Sequence, residues 1–216
     1  MKWPKACIFD LDGVIVDTVP AHFVAWKAMA DELGIPFNEF DNEQLKGVSR
    51  TSSMKRILAM GGQKMSDSEI LSYTNKKNDM YVNIISKMTS NDILPGVVDF
   101  LQLLKYNGIL LALGTSSKNG PTILKSVGLT QMFDVAIDGT HVKHSKPDPE
   151  VFLLGAKALH VHPSDCVVFE DAISGVEAAL AGGMKCIGVG DPDILNKAHL
   201  VIPNLIHLDV TIFEKL

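Results

Sequence analysis

The chain has 216 residues, 46% of them hydrophobic and 21% charged, so it carries enough apolar surface to bury a core and is not a disordered polymer. A formal charge of −5, from 20 basic and 25 acidic side chains, gives no global positive field and speaks against nucleic acid as a partner. No uncharged apolar run reaches the roughly 18 to 20 residues of a membrane span. The first apolar segment runs directly into Asp10 and Asp12 instead of forming a signal-peptide core, so a soluble, unprocessed chain with no membrane partner is expected.

In chain order, short apolar runs bounded by Gly, Asp or Ser alternate with segments of helical period, which predicts a parallel sheet covered on both faces. The expected strands are 6–9, 109–113, 135–137, 166–169 and 186–189, and the expected helices among the later strands are 97–105, 122–127, 149–159 and 175–181. Between the first strand and Pro95 the rhythm fails, and about eighty residues read as helices. There 21–33 and 50–59 are two helices, and a third opens at Ser66, whose hydroxyl caps it while Glu69 reaches back, and runs to about Met88. Along it Tyr81, Ile84, Ile85 and Met88 form one apolar stripe, the pattern of a bundle core. The fold class is therefore α/β: a parallel-sheet core domain of residues 1–17 and 89–216, with a small helical cap domain, 18–88, inserted after the first strand. Chain continuity puts that insertion over the carboxyl edge of the sheet, where open α/β sheets bind ligands. Cys7, Cys166 and Cys186 lie apart among apolar neighbours, which suits buried free thiols in a reducing compartment and points to the cytoplasm.

Four short motifs fall on that same edge. Asp10 and Asp12, two apart at the tip of the first strand and followed by Gly13, can face one site once the chain turns, although Asp-Gly is also a plain turn signal. Thr115, Ser116, Ser117, Lys118 and Asn119 follow the second strand and offer hydroxyls and amides to an anion, or simply cap a helix. Lys146 precedes a later helix, and Glu170 and Asp171 end the fourth strand, where they could cap a helix or bind a hard divalent cation. Converging carboxylates repel unless compensated, and Mg²⁺ together with Lys146 supplies that compensation.

The ordered set Asp-x-Asp-Gly-Val, Thr-Ser, Lys-Pro and Glu-Asp resembles the haloacid dehalogenase superfamily of Mg²⁺-dependent phosphoryl-transfer enzymes, which implies a Rossmann-like core with an inserted helical cap. Asp12 argues for phosphoryl transfer over dehalogenation. The cap segments His22-Phe23, Ala25-Trp26-Lys27, 44–50 and Lys77-Asn78-Asp79, with 117–121 in the core, are similar to the β-phosphoglucomutase family. Thr115 stands where Ser is typical, and the chain near Gly61-Gly62-Gln63 is altered at the cap surface.

This resemblance implies interconversion of β-D-glucose 1-phosphate and glucose 6-phosphate through an aspartyl phosphate, with glucose bisphosphate as activator. It implies Asp10 as nucleophile, Asp12 as general acid and base, and Thr115 and Lys146 as holders of the transferring phosphoryl group. It implies Mg²⁺ on the Asp10 carboxylate, the Asp12 carbonyl and Asp171, with Glu170 as a further ligand or as a partner behind the ligands. Arg50, assisted by Ser117, Lys118 and Asn119, is the candidate for a distal phosphate pocket. Lys46, Gly47, Val48, Ser53 and Trp26 would border the sugar, with Ser116 beside them in the core. Thr18, His22 and Lys77 would link hinge and cap to Asp12. A small sugar-phosphate phosphatase using the same aspartates is the alternative. The absence of coiled-coil heptads makes a monomer the expectation.

Overall fold

The computed structural model describes residues 3–216. Six strands, β1 (Ala6–Phe9), β2 (Leu110–Gly114), β3 (Val135–Ile137), β4 (Cys166–Glu170), β5 (Lys185–Val189) and β6 (Leu200–Ile202), form one sheet in the order β3-β2-β1-β4-β5-β6. Every neighbouring pair is parallel. The chain reverses its direction of winding between β1 and β4, and the crevice beyond their carboxyl ends is where such sheets take ligands.

Side chains of period two build a core on each face. Cys7, Phe9, Leu111, Leu113, Val167 and Phe169 face one side, where α5 (Val97–Tyr106) and α6 (Gly120–Ser126) pack. Ala6, Ile8, Ala112, Cys166 and Val168 face the other, against α7 (Glu150–Ala158) and α8 (Ile173–Ala181). The Phe9 and Phe169 rings stack at 4.6 Å directly beneath the acidic tips of β1 and β4, so the bases of those tips are held by rigid aromatic packing. The three cysteines are buried and free, as expected.

Between β1 and α5 lie α1 (Val19–Glu32), α2 (Glu39–Glu43), α3 (Arg50–Met60) and α4 (Asp67–Ile85). These helices enclose an apolar cluster of their own around Trp26, Met29, Ile35, Met54 and Ile57. Ser66 and Glu69 make the anticipated capping box of α4. That helix stops at Ile85, short of Met88, because Thr89 and Asp92 cap a separate single turn. Among the strands and α-helices, two were not expected from the sequence: α2, five residues long and opened by an Asn38–Asp41 capping box, and β6, a three-residue edge strand. Among the described residues no helix is long and apolar enough to cross a membrane.

Candidate active site

Asp10 follows the last residue of β1, and its amide donates to the Phe169 carbonyl, which ties it to the adjacent β4 tip. Lys146, from the loop before α7, reaches under both tips: its Nζ lies 2.5 Å from Asp10 Oδ1 and 2.8 Å from Glu170 Oε2. All three side chains are buried. Burial alone would drive the ammonium toward neutrality, but the two carboxylates outweigh it and hold Lys146 well above the usual lysine range. Lys146 is therefore a fixed positive charge. Thr115, fully buried at the end of β2, accepts the Ser117 amide at 3.0 Å, and the Ser117 hydroxyl oxygen accepts the Asn119 amide at 3.2 Å. The amides of 117 and 119 are thus partnered within the turn itself.

Asp12 turns the other way. Its Oδ1 accepts a hydrogen bond from the Thr18 hydroxyl at the start of α1 and lies 3.8 Å from His22 Nε2. The opposite nitrogen of His22 lies 2.8 Å from Lys77 Nζ on α4. Lys77 is 1% exposed and sits over the Trp26 and Tyr81 rings at 4.8 and 4.5 Å. Burial would raise the Asp12 pKa, but His22 and Thr18 outweigh it and hold the carboxyl below its ordinary range. Burial, then the charge of Lys77, lowers His22. Burial, then repulsion from Arg50, brings Lys77 down to about 7. The Tyr81 ring packs in the core stripe as expected, yet its hydroxyl approaches Asp12 Oδ1 at 3.4 Å. Periodicity shows only which face of a helix is buried, so it could not reveal that polar end.

Oxygens of Asp10, Glu170 and Asp171 lie within 4.8 Å of one another. Burial, with repulsion among the carboxylates, outweighs the opposing charge of Lys146 and leaves Asp10 raised and Glu170 at about 8. Burial likewise leaves Asp171 at about 7, although Lys46 opposes the shift. Crowded, hard-oxygen donors held at this energetic cost fit a divalent cation such as Mg²⁺. Gly13 makes the approach possible: its φ is +85°, and a Cβ there would stand 2.2 Å from Asp171 Oδ2. The Asp12 side chain gives no oxygen to this cluster, and both Glu170 oxygens already accept hydrogen bonds, from Lys146 and the Ala172 amide.

A cavity of about 390 Å³ joins these parts. Asp10, Asp12, Thr115 and Asp171 line one end; His22, Trp26, Lys46, Gly47, Val48, Arg50, Ser53 and Lys77 line the helical side; Ser116, Ser117, Lys118 and Asn119 close the remaining wall. Thr18, Lys146 and Glu170 stand behind this lining and act on Asp12 and Asp10 through the contacts given above. Lys46 was expected at the sugar; besides lining the cavity, its Nζ pairs with Glu43 at 2.9 Å and Asp171 at 3.3 Å. Asn78, marked in the sequence only as part of the Lys77-Asn78-Asp79 likeness and given no role there, accepts from the Asn119 side chain at 3.1 Å and so joins α4 to the loop after β2.

A family model for haloacid dehalogenase-like hydrolases matches residues 4–183. The chain belongs to that family. Among curated members it is 42% identical to a β-phosphoglucomutase of Bacillus subtilis, over 92% of this chain and 88% of that one. It is 35% identical to a phosphorylated carbohydrates phosphatase of Thermotoga maritima, over 85% and 83%. The crystal structure of a Clostridium difficile β-phosphoglucomutase superposes with a TM-score of 0.94 at 41% identity, covering 98% of this chain and 96% of that one. The Rossmann-like order of the haloacid dehalogenase core, with the helices inserted after β1, is thus a family feature carried in full here.

Proposed function

We propose that this family member is a β-phosphoglucomutase, interconverting β-D-glucose 1-phosphate and glucose 6-phosphate. The observation that carries this is the union, in one cavity, of the Asp10–Asp12–Asp171 end with a second cationic region at Arg50 and Lys118. A phosphatase needs one phosphate site, whereas a mutase must hold a sugar bisphosphate by both ends. The likeness to β-phosphoglucomutases over nearly the whole chain supports the same choice.

In the proposed cycle Asp10 enters as an aspartyl phosphate. Asp12 takes the proton from a sugar hydroxyl as that oxygen attacks phosphorus and the bond to Asp10 breaks, giving β-glucose 1,6-bisphosphate. After the sugar turns over, an Asp10 oxygen attacks the other phosphorus, and Asp12 returns its proton to the leaving sugar oxygen. Thr115 and Lys146 hold the phosphoryl group, and Arg50, with a planar fork suited to phosphate, holds the distal one. Asp10, Asp171, the Asp12 carbonyl and Glu170 are the proposed Mg²⁺ holders, and the ion when bound supplies positive charge to the phosphoryl oxygens. Thr18, His22 and Lys77 set Asp12 in place. Residues 18–88 act as the cap domain that keeps water from the mixed anhydride, over a core of 1–17 and 89–216. We place the enzyme in the cytoplasm, as a monomer, with glucose bisphosphate as activator.

The test supplies β-glucose 1-phosphate, Mg²⁺ and a trace of glucose 1,6-bisphosphate and follows ³¹P NMR. Glucose 6-phosphate in excess over inorganic phosphate is the expected result. Free phosphate as the main product assigns the chain instead to the sugar-phosphate phosphatases, a class that several relatives represent.

A further inference from the structure

The carboxylate cluster is neutralised from two directions. Lys146 is committed to Asp10 and Glu170, both buried, and acts on Asp171 only through its charge. The cation on Asp171 comes instead from the cap: Lys46, in the turn between α2 and α3, places Nζ 3.3 Å from Asp171 Oδ2. Glu43, 2.9 Å from the same ammonium, gives Lys46 an alternative partner at the end of α2. The next residue, Gly47, has φ +69° and sits so close to the core that a Cβ there would meet Ser174 Oγ at 2.3 Å. Lys46 is thus pinned across the seam between the two regions, over a donor group suited to a divalent ion. It also borders both the main cavity and a second one, lined by Asp17, Glu43, Asp171 and Asp191, that reaches Asp171 from the other side.

An ammonium and a divalent cation cannot share Asp171 without strong repulsion, because like charges a few ångströms apart in a half-buried site are poorly screened. We infer that Lys46 is an internal placeholder for the metal: it neutralises Asp171 while the divalent ion is absent and is expelled into the main cavity, toward substrate phosphate, when the ion binds. This rests on the metal site proposed above and adds a coupling to it. Before substrate arrives, Lys46 opposes the metal; once an anion holds Lys46 in the cavity, that opposition ends. By linkage, metal and anion then strengthen one another through this one side chain. Lys46 is in this respect a positioning residue for Asp171 and a switch between two cations.

Isothermal titration of Mg²⁺ alone into the full chain, without sugar phosphate, reads the coupling directly. Lys46→Met, with Lys46→Gln as a second neutral variant, is expected to bind Mg²⁺ about fivefold or more tighter than the native protein, the lower end of typical coupling factors. Lys46→Arg, which keeps the charge, is expected to stay near native affinity. With saturating glucose 6-phosphate present, Mg²⁺ affinity is expected to rise more in the native protein than in Lys46→Met. Unchanged or weaker Mg²⁺ binding in both neutral variants, with native circular dichroism, overturns the inference. Asp171→Asn keeps the two proposals separable: if it binds Mg²⁺ as the native chain does, the metal site itself is misplaced, whatever Lys46 does.

Discussion

Replacing Lys77 with methionine should stabilise the fold while disabling the chemistry. The side chain is 1% exposed, and burial followed by repulsion from Arg50 lowers its pKa from 10.5 to about 7. At about 1.36 kcal/mol per pKa unit, holding the ammonium charged inside the protein costs about 5 kcal/mol. Methionine of similar length removes that cost but loses two cation–π contacts and the hydrogen bond to His22, together worth about 3 kcal/mol. The net expectation is a gain of about 2 kcal/mol near neutral pH, read as a higher urea midpoint at unchanged slope. The pH dependence carries the stronger signature. Between 7 and 10.5 the unfolded chain binds a proton at Lys77 that the native state has released, so native stability rises with pH across that window. The advantage of Lys77→Met should therefore be full below pH 7 and shrink steadily toward pH 9. An advantage that does not change with pH, or a variant less stable than the native protein at pH 6.5, would refute the reasoning. Mutase turnover of the same variant should fall about a hundredfold, the usual scale of a general acid–base contribution, because His22 loses the partner that orients it beside Asp12.

Gly13→Ala forces a side chain into φ +85° and against Asp171, and should weaken Mg²⁺ binding tenfold or more in calorimetry, with a stability loss of about 1–3 kcal/mol; native Mg²⁺ affinity would contradict the placement of Asp171. His22→Ala should slow phosphorylation of Asp10 by glucose 1,6-bisphosphate in quenched-flow measurements at least tenfold, a typical floor for acid–base effects, while Mg²⁺ affinity stays native; equal loss of both counts against the relay. Because Asp171 and Glu170 titrate near 7 and 8, Mg²⁺ must displace protons at low pH, so its affinity should rise from pH 6 to pH 8. Titrations in buffers of different ionisation enthalpy should show the protons released, and a flat profile would exclude this competition.

The core was legible in the sequence because its strands are short apolar runs that end abruptly in Asp10, Thr115 and Glu170. Burial on both faces leaves no alternation to confuse with a solvent-facing sheet, and the polar residue at each tip marks the functional edge. Small elements were harder: β6 has three residues, two of them only partly buried, and α2 is a single turn whose identity rests on a local capping box. Long-range polar contacts were out of reach for a different reason. Lys46 and Asp171 are far apart in the chain, as are Asn78 and Asn119, and no periodicity encodes which loop of the helical region will meet which strand tip. Tyr81 shows the same limit within one residue, since its ring obeys the helical stripe and its hydroxyl obeys Asp12.

The two buried lysines show how placement alone gives one chemical group two tasks. Lys146 and Lys77 both lose water, and burial is the leading influence on each. Lys146 meets Asp10 and Glu170 within hydrogen-bond distance, so the attraction outweighs desolvation and the charge is permanent, as a group neutralising phosphoryl oxygens requires. Lys77 meets aromatic faces, a histidine nitrogen and the field of Arg50, so desolvation prevails and its proton is held loosely near neutrality. A loosely held proton at Lys77 makes the charge of His22, and through it the field on Asp12, responsive to whatever negative charge enters beside Arg50. Substrate phosphate there would relieve the repulsion on Lys77, raise its pKa and strengthen its donation to His22 Nδ1. With Nδ1 accepting, the neutral ring carries its proton on Nε2, which faces Asp12 as a donor, so His22 in the filled site favours the Asp12 carboxylate. Asp12 is thereby kept ionised beside a filled cavity, the state a general base needs to take the proton from the attacking sugar hydroxyl.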